Sequence, residues 1–164
     1  MTQQPHNYSI STDKSKLNFN VIYNFIANSY WAKGIPKSVM QKAIDNSMCF
    51  GVYSPNNEQV GFARVVTDNA TFAYLADVFV LEKYRGKGIS KQLMSHILEH
   101  PELQNLRRTL LCTADAHGLY EQYNFTPIKI LSSFKHFVST ILTVMSLLCI
   151  NFVSNFFESN NYFV

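Results

Sequence analysis

The residues with the clearest chemical purpose lie in one short stretch, "VFVLEKYRGKGIS" at 78–90. There an apolar alternating run meets Arg85, Gly86, Lys87 and Gly88, and an amphipathic segment follows without a break. The first N–H groups of a helix lack intrahelical partners and the helix dipole favours negative charge, so phosphate oxygens bind such a junction with little help from side chains. Gly86 and Gly88 would let the backbone approach an anion, and Arg85 and Lys87 would add charge for a pyrophosphate or a ribose phosphate. The pattern is not G-x-x-x-x-G-K-[ST], and it supplies only the first two glycines of G-x-G-x-x-G. Spacing alone leaves open a plain strand-to-helix turn with solvated basic residues.

Few other residues have a pattern that could do chemistry. Asp77 is the ionisable residue inside "TFAYLADVFV", and period-two alternation puts it on the face of Leu75 and Phe79, opposite Ala76, Val78 and Val80. A carboxylate in mid-strand needs a partner or a task. It could bind a substrate ammonium, relay its proton through water, or pair with Arg64 on the neighbouring strand; Glu82 is a weaker candidate. His117 precedes Tyr120 by three residues and could share its helix face, although a histidine so placed is more often on the surface; His96 and His100 face solvent. No His and Cys cluster has metal-ligand spacing, so no metal is expected. Cys49, Cys112 and Cys149 lie far apart without a C-x-x-C, and their odd number argues against a disulfide framework and for a reducing compartment. Cys112 falls in a run that reads as buried core strand, and Cys49 nears the site only if its strand tilts that way.

The elements that must position these groups follow from hydrophobic periodicity. "NYSIST" suits a short strand, and Leu17, Val21, Ile22, Phe25 and Ile26 share one face of a first helix. Pro36 suits the first turn of a second helix that buries Val39, Met40, Ala43 and Ile44. "MCFGVYS" and "QVGFARVVT" form a hairpin across "PNNE", and a turn at Asp68 and Asn69 leads into the strand carrying Asp77. Ile89, Leu93, Met94, Ile97 and Leu98 repeat at helical spacing until Pro101. "RRTLLCTA" then reads as a strand, "DAHGLYEQYNF" as a short helix and "TPIKI" as the start of one more strand. The order predicts an α/β fold with a mixed, mostly antiparallel sheet flanked by helices, in a single domain. The loop at 85–88 falls at the carboxyl end of a strand, where ligands bind such sheets.

Composition narrows the function classes. The chain has 164 residues, 47% hydrophobic and 14% aromatic, enough for one domain with a real core. A formal charge of +3 with 15% charged residues leaves no basic run to track a nucleic acid, so no nucleic-acid partner is expected. The N-terminus, "MTQQPHNYSISTDKSK", has no apolar signal region, which points to a cytoplasmic enzyme domain.

With these elements in place, "RGKGIS" resembles the R-x-x-G-x-[GA] acyl-CoA loop of the GNAT acetyltransferases, set between a hydrophobic strand and a helix as in that family. "DAHGLYEQYNF" is similar to the family's last helix, in which a Tyr, here Tyr120, is followed shortly by Gly-Phe. The resemblance covers roughly 17–128. Ser90 stands where the loop ends in Gly or Ala, and Asn124 replaces the Gly before Phe125, a position Asn can hold because it accepts left-handed backbone.

The resemblance implies an N-acetyltransferase that moves the acetyl group of acetyl-CoA, used as cosubstrate, to a primary amine of a small molecule or protein. Backbone amides near Val78 and Val80 would hold the acyl and pantetheine portions and polarise the carbonyl. Those of Lys87, Gly88, Ile89 and Ser90 would hold the pyrophosphate. Tyr120 would be the general acid for the leaving thiolate, Asp77 the group that handles the amine, and Tyr30, Trp31 and Ile35 the acceptor wall. This gives a GNAT-like domain over 1–130 whose last strand is replaced by an atypical tail, 131–164. Residues 137–157 carry no charge and are long enough to span a bilayer as a helix. Their Leu, Ile, Phe and Val would contribute about −4 to −7 kcal/mol on the insertion scale, partly offset by Ser, Thr and Asn. The tail could anchor the domain to a membrane, pack on the sheet, or be a non-native extension. A degenerate CoA-binding, membrane-associated interaction module is the second function class.

Overall fold

In the computed structural model residues 8–127 are described, together with the two-residue strand Tyr162–Phe163. The chain divides into two compact units, Met1–Leu110 and Leu111–Val164. The first holds β1 (Ser9–Ser11), α1 (Phe19–Ile26), α2 (Lys37–Asp45), β2 (Met48–Tyr53), β3 (Gln59–Thr67), β4 (Phe72–Val80) and α3 (Ile89–Leu98). Strands β1 to β4 are successive antiparallel neighbours, with Ser9 opposite Tyr53, Gly51 opposite Phe62 and Val65 opposite Leu75. A strand β5, Arg108–Thr113, starts in this unit, where the Arg108 N–H donates to the Thr71 carbonyl at 3.2 Å. The α/β class with a mostly antiparallel sheet and flanking helices is the one expected.

Local chemistry explains the element ends. The Asn18 side chain caps α1 by accepting from the N–H groups of Asn20 and Val21, and Pro36 precedes α2 as its N-cap. The Asp68 carboxylate accepts from the amides of Ala70, Thr71 and Phe72 and from the Thr71 hydroxyl, fixing the β3–β4 turn. These bonds, the Thr71 hydroxyl first, hold the Asp68 carboxyl well below the usual carboxylate range.

The sheet separates two cores. One face joins Cys49, Phe62 and Phe79 to Ile22, Ile26, Met40 and Ile44 of α1 and α2. On the other, α3 packs on β2 and β4 with Leu93, Met94 and Ile97 buried, and His96 and His100 turn their rings edge-on to Phe50. Val39 departs from expectation. Met40 and Ile44 are buried, but Val39 is 51% exposed, because it lies a third of a turn off the face that meets the sheet.

The alternation expected for β4 is also corrected. Phe62 is opposite Phe79 and Arg64 opposite Ala76, so Ala63 faces Asp77 and Val78 together, a β-bulge in which Asp77 takes φ 54°. Because Phe62 and Val65 lie on opposite faces of β3, so do their partners Phe79 and Leu75. The single face predicted for Leu75, Asp77 and Phe79 does not exist.

In the second unit, the end of β5 buries Leu111 and Thr113 and exposes Cys112 between them. The expectation of a core Cys112 fails because the strand alternates where an apolar run suggested burial on both faces. The helix α4 is His117–Tyr120, followed by a 3-10 turn Glu121–Tyr123 that ends in Asn124 at φ 64°, the left-handed conformation anticipated for that residue. A short strand β6, Tyr162–Phe163, pairs antiparallel with Thr113 and Cys112. The expected strand at "TPIKI" falls mostly, and the apolar segment 137–157 wholly, outside the described residues. Among the described residues no helix is long and apolar enough to cross a membrane.

Candidate functional site

The junction after β4 is built mainly from backbone. The Leu81 N–H donates to the Val60 carbonyl at 2.8 Å. In the antiparallel alternation this makes Leu81 and Phe79 the positions that exchange hydrogen bonds with β3, so the Val80 N–H points away from that strand. A 3-10 turn, Glu82–Tyr84, then reverses the chain. Arg85 donates from Nε to the Val80 carbonyl at 3.1 Å, which ties its guanidinium to the strand end rather than leaving it to swing in solvent. Gly86 and Gly88 both sit at φ 75°, a conformation that costs an L side chain about 1–2 kcal/mol, and a Cβ at either would meet nothing within 4 Å. Glycine is required here by backbone shape, and the space in front of it is open.

Gly88 is the N-cap of α3 and no side chain caps that end. The first intrahelical bond runs from the Gln92 N–H to the Gly88 carbonyl, so the N–H groups of Ile89 and Ser90 lie ahead of the hydrogen-bond ladder. With Lys87 exposed beside them, they form a cradle for an anionic oxygen. Phosphate oxygens fit this donor set.

Around Asp77 the structure brings together residues distant in sequence. Arg64 Nε donates to Asp77 Oδ2 at 2.7 Å, with side chains only 17% and 10% exposed. Arg64 Nη1 also donates to the Ser47 hydroxyl at 3.1 Å, and Trp31 Nε1 reaches Asp77 Oδ1 at 3.4 Å. Both carboxylate oxygens are therefore engaged, and the pairing with Arg64 is the arrangement realised. The Trp31 loop is held by rings: Phe25 stacks on Phe79 at 4.0 Å, Trp31 lies 6.3 Å from Phe25, and Tyr30 stands edge-on to Trp31 at 4.9 Å. Tyr30 and Trp31 are 60% and 43% exposed, whereas Ile35 packs against the α1–α2 core.

The remaining candidates divide. Tyr120 belongs to the second unit, where it is buried with its ring edge-on to Phe125 at 6.1 Å. Cys49 lies in the core, its Sγ against the carbonyls of Ile44 and Ser47, and burial pushes its thiol up to about 11. Glu82 is exposed in the turn, and among the described residues no group of His, Cys, Asp and Glu could hold a metal ion. Ser47 and Tyr84 carried no sequence signal. Ser47 follows the helical pattern of α2 as an ordinary polar residue, and the role of Tyr84 depends on contacts made across the sheet.

The geometry is thus a strand whose last amide points away from β3, followed by a glycine turn and a helix start without a side-chain cap. Comparison with known proteins gives the class: residues 45–127 match the model of the acetyltransferase (GNAT) domain, and the chain belongs to that family. A crystal structure from Xanthomonas campestris pv. campestris, assigned to the GNAT acetyltransferases, is 51% identical with TM-score 0.72, covering 74% of this chain and 86% of that one. A Gibberella zeae protein assigned as an acetyltransferase is 29% identical over 133 residues, 69% of this chain and 75% of its own. A GNAT acetyltransferase from Elizabethkingia anophelis, solved with acetyl-CoA bound, superposes with TM-score 0.58 over 75% of this chain and 78% of that one. At 16% identity that likeness is one of fold.

Proposed function

We propose that the protein transfers the acetyl group of acetyl-CoA to a primary amine by direct attack in a ternary complex. The observation that carries this reading is the uncapped start of α3 at Gly88, which follows a strand whose Val80 amide points away from β3. The amides of Lys87, Gly88, Ile89 and Ser90 take the pyrophosphate, with Lys87 and the tethered Arg85 supplying charge. Val78 and Val80 take the pantetheine and acyl portions, and a backbone N–H aimed at the carbonyl oxygen stabilises the negative charge that develops there.

The amine nitrogen attacks the thioester carbon, the C–S bond breaks as the carbonyl reforms, and the thiolate leaves. Tyr120 gives that sulfur its proton. Asp77, oriented by Arg64 and Trp31, receives the amine proton through water, and Tyr30 and Trp31 form the wall against which the acceptor packs. Both Asp77 oxygens already have partners, so this assignment asks the carboxylate to orient the ammonium as much as to take its proton.

Thermal unfolding and thiol release test the reading. Acetyl-CoA at 100 times its Kd should stabilise the protein by about 2.7 kcal/mol, and a panel of amines should include one that releases free CoA. Tyr120→Phe should lower kcat by about 10²- to 10⁴-fold with little change in the acetyl-CoA KM. No stabilisation by acetyl-CoA refutes the proposal. Unchanged turnover in Tyr120→Phe removes Tyr120 as the acid.

A further inference from the structure

Tyr84 closes the turn between β4 and the glycine loop, and three groups converge on it. Lys83 Nζ stands 4.8 Å and Lys87 Nζ 5.4 Å from the centre of its ring. Its hydroxyl donates to Glu58 Oε2 at 2.8 Å, and the Tyr8 ring lies edge-on at 6.3 Å. Glu58 is itself fixed, because it ends the β2–β3 turn in which the Ser54 N–H donates to the Glu58 carbonyl at 2.9 Å and the Ser54 hydroxyl accepts from the Glu58 N–H. The phenol is thus anchored at its far end while its faces serve two ammonium groups.

This arrangement answers a physical difficulty. Lys87 sits between two glycines in left-handed backbone, a segment with little of its own to fix a side chain, and a free lysine has much rotamer freedom to lose. Two neighbouring ammonium groups also repel each other. An aromatic ring attracts each ammonium weakly at an exposed site, which offsets part of both costs and biases the two side chains towards Tyr84.

We propose that Tyr84 is a positioning residue for the phosphates of the cosubstrate, holding Lys83 and Lys87 beside the start of α3, with Glu58 as its anchor. This rests on the acetyl-CoA reading of that site. The ring holds the cations and the hydroxyl holds the ring, so Tyr84→Phe keeps most of the effect and Tyr84→Leu loses it.

Acetyl-CoA affinity, KM and kcat are measured for the full chain and for Tyr84→Leu, Tyr84→Phe, Lys87→Ala and the Tyr84→Leu/Lys87→Ala double variant, across a range of salt. Tyr84→Leu should weaken binding about 2- to 5-fold with kcat nearly unchanged, and it should flatten the salt dependence. In the Lys87→Ala background the same change should cost at most half as much on a logarithmic scale. Tyr84→Phe should stay within about twofold of the parent. An equal loss in both backgrounds, an unchanged salt slope, or a Phe variant as weak as the Leu variant overturns the proposal. A parent chain that fails to bind acetyl-CoA refutes the acetyltransferase reading itself, whereas a parent that binds without coupling between Tyr84 and Lys87 refutes only the role given to Tyr84.

Discussion

Replacing Arg64 and Asp77, singly and together, tests whether the ion pair beside the bulge holds its side chains as the geometry indicates. With exposures of 17% and 10%, the pair is screened far less than a surface bridge. Arg64→Met keeps the apolar stem but leaves the Asp77 carboxylate, buried for nine-tenths of its surface, with the 3.4 Å contact from Trp31 and no counter-charge. Breaking a buried pair from one side costs about 3–5 kcal/mol. Asp77→Asn is milder by design. Asn tolerates the φ of 54° as Asp does, so the substitution adds no backbone strain, and Arg64 keeps the Ser47 hydroxyl and a neutral amide oxygen. The loss is then one charge-assisted hydrogen bond, about 1.5–3 kcal/mol.

The double variant removes both charges, so neither is stranded, and it should cost no more than Arg64→Met alone. That leaves a coupling energy of about 2 kcal/mol between the two sites, well above the scatter of independent mutations. In a chain of this length Arg64→Met should lower Tm by about 6–20 °C, taking about 2–4 °C per kcal/mol. Urea unfolding followed by tryptophan fluorescence suits the measurement, because Trp31 is the single tryptophan and its indole N–H contacts Asp77. Single effects that add to within about 0.5 kcal/mol would refute the reasoning and reduce the pair to a surface-like contact.

Two further outcomes follow from backbone shape and burial. Gly88→Ala should destabilise the fold by about 1–2 kcal/mol through its φ of 75° alone, since the added Cβ meets no atom, and Gly88→Asn should cost less; paired urea curves for the two variants check the order. The buried Cys49 thiol, raised from 9.0 to about 11, binds its proton more tightly folded than unfolded, so its contribution is intact below pH 9 and is lost as pH rises towards 11. Over that window the parent should lose about 2–3 kcal/mol more stability than Cys49→Ala, read from urea midpoints at each pH, and equal losses would refute the assignment.

How much of this could be read in the residues depends on the kind of signal each feature leaves. The helices were legible because Ile22, Ile26, Met40 and Ile44 recur at a spacing only a helix can bury together. Val39 was misplaced because the same spacing does not fix the edge of the apolar stripe. The loop was legible because its demand is conformational, and Gly86 and Gly88 announce positive φ directly. Asn124 announced it too, as a residue that tolerates the left-handed region. The bulge was not legible, because Asp77 and Val78 look like any alternating pair and the extra residue is defined only against Ala63 across the ladder. Arg64 could be named as a partner of Asp77 but not chosen over a catalytic task, since pairing depends on that register.

The bulge also explains why a carboxylate is tolerated in that strand at all. In a regular β4, Leu75, Asp77 and Phe79 would share one face, and a core joining Leu75 and Phe79 would enclose the Asp77 carboxylate between them at a cost of several kcal/mol. One extra residue gives Leu75 to the α3 side with Val65 and Phe79 to the α1–α2 side with Phe62, and leaves Asp77 at the change of face. There it meets the Arg64 guanidinium from β3 and the Trp31 indole from the helix loop, so the irregularity that costs backbone strain also creates the polar site. After the bulge the ladder resumes in time for Leu81 to bond Val60, which leaves the Val80 amide directed away from β3 ahead of the loop. A strand of the same composition without the inserted residue would keep the Asp77 carboxylate on one face with Leu75 and Phe79, and could not give those two residues to separate cores.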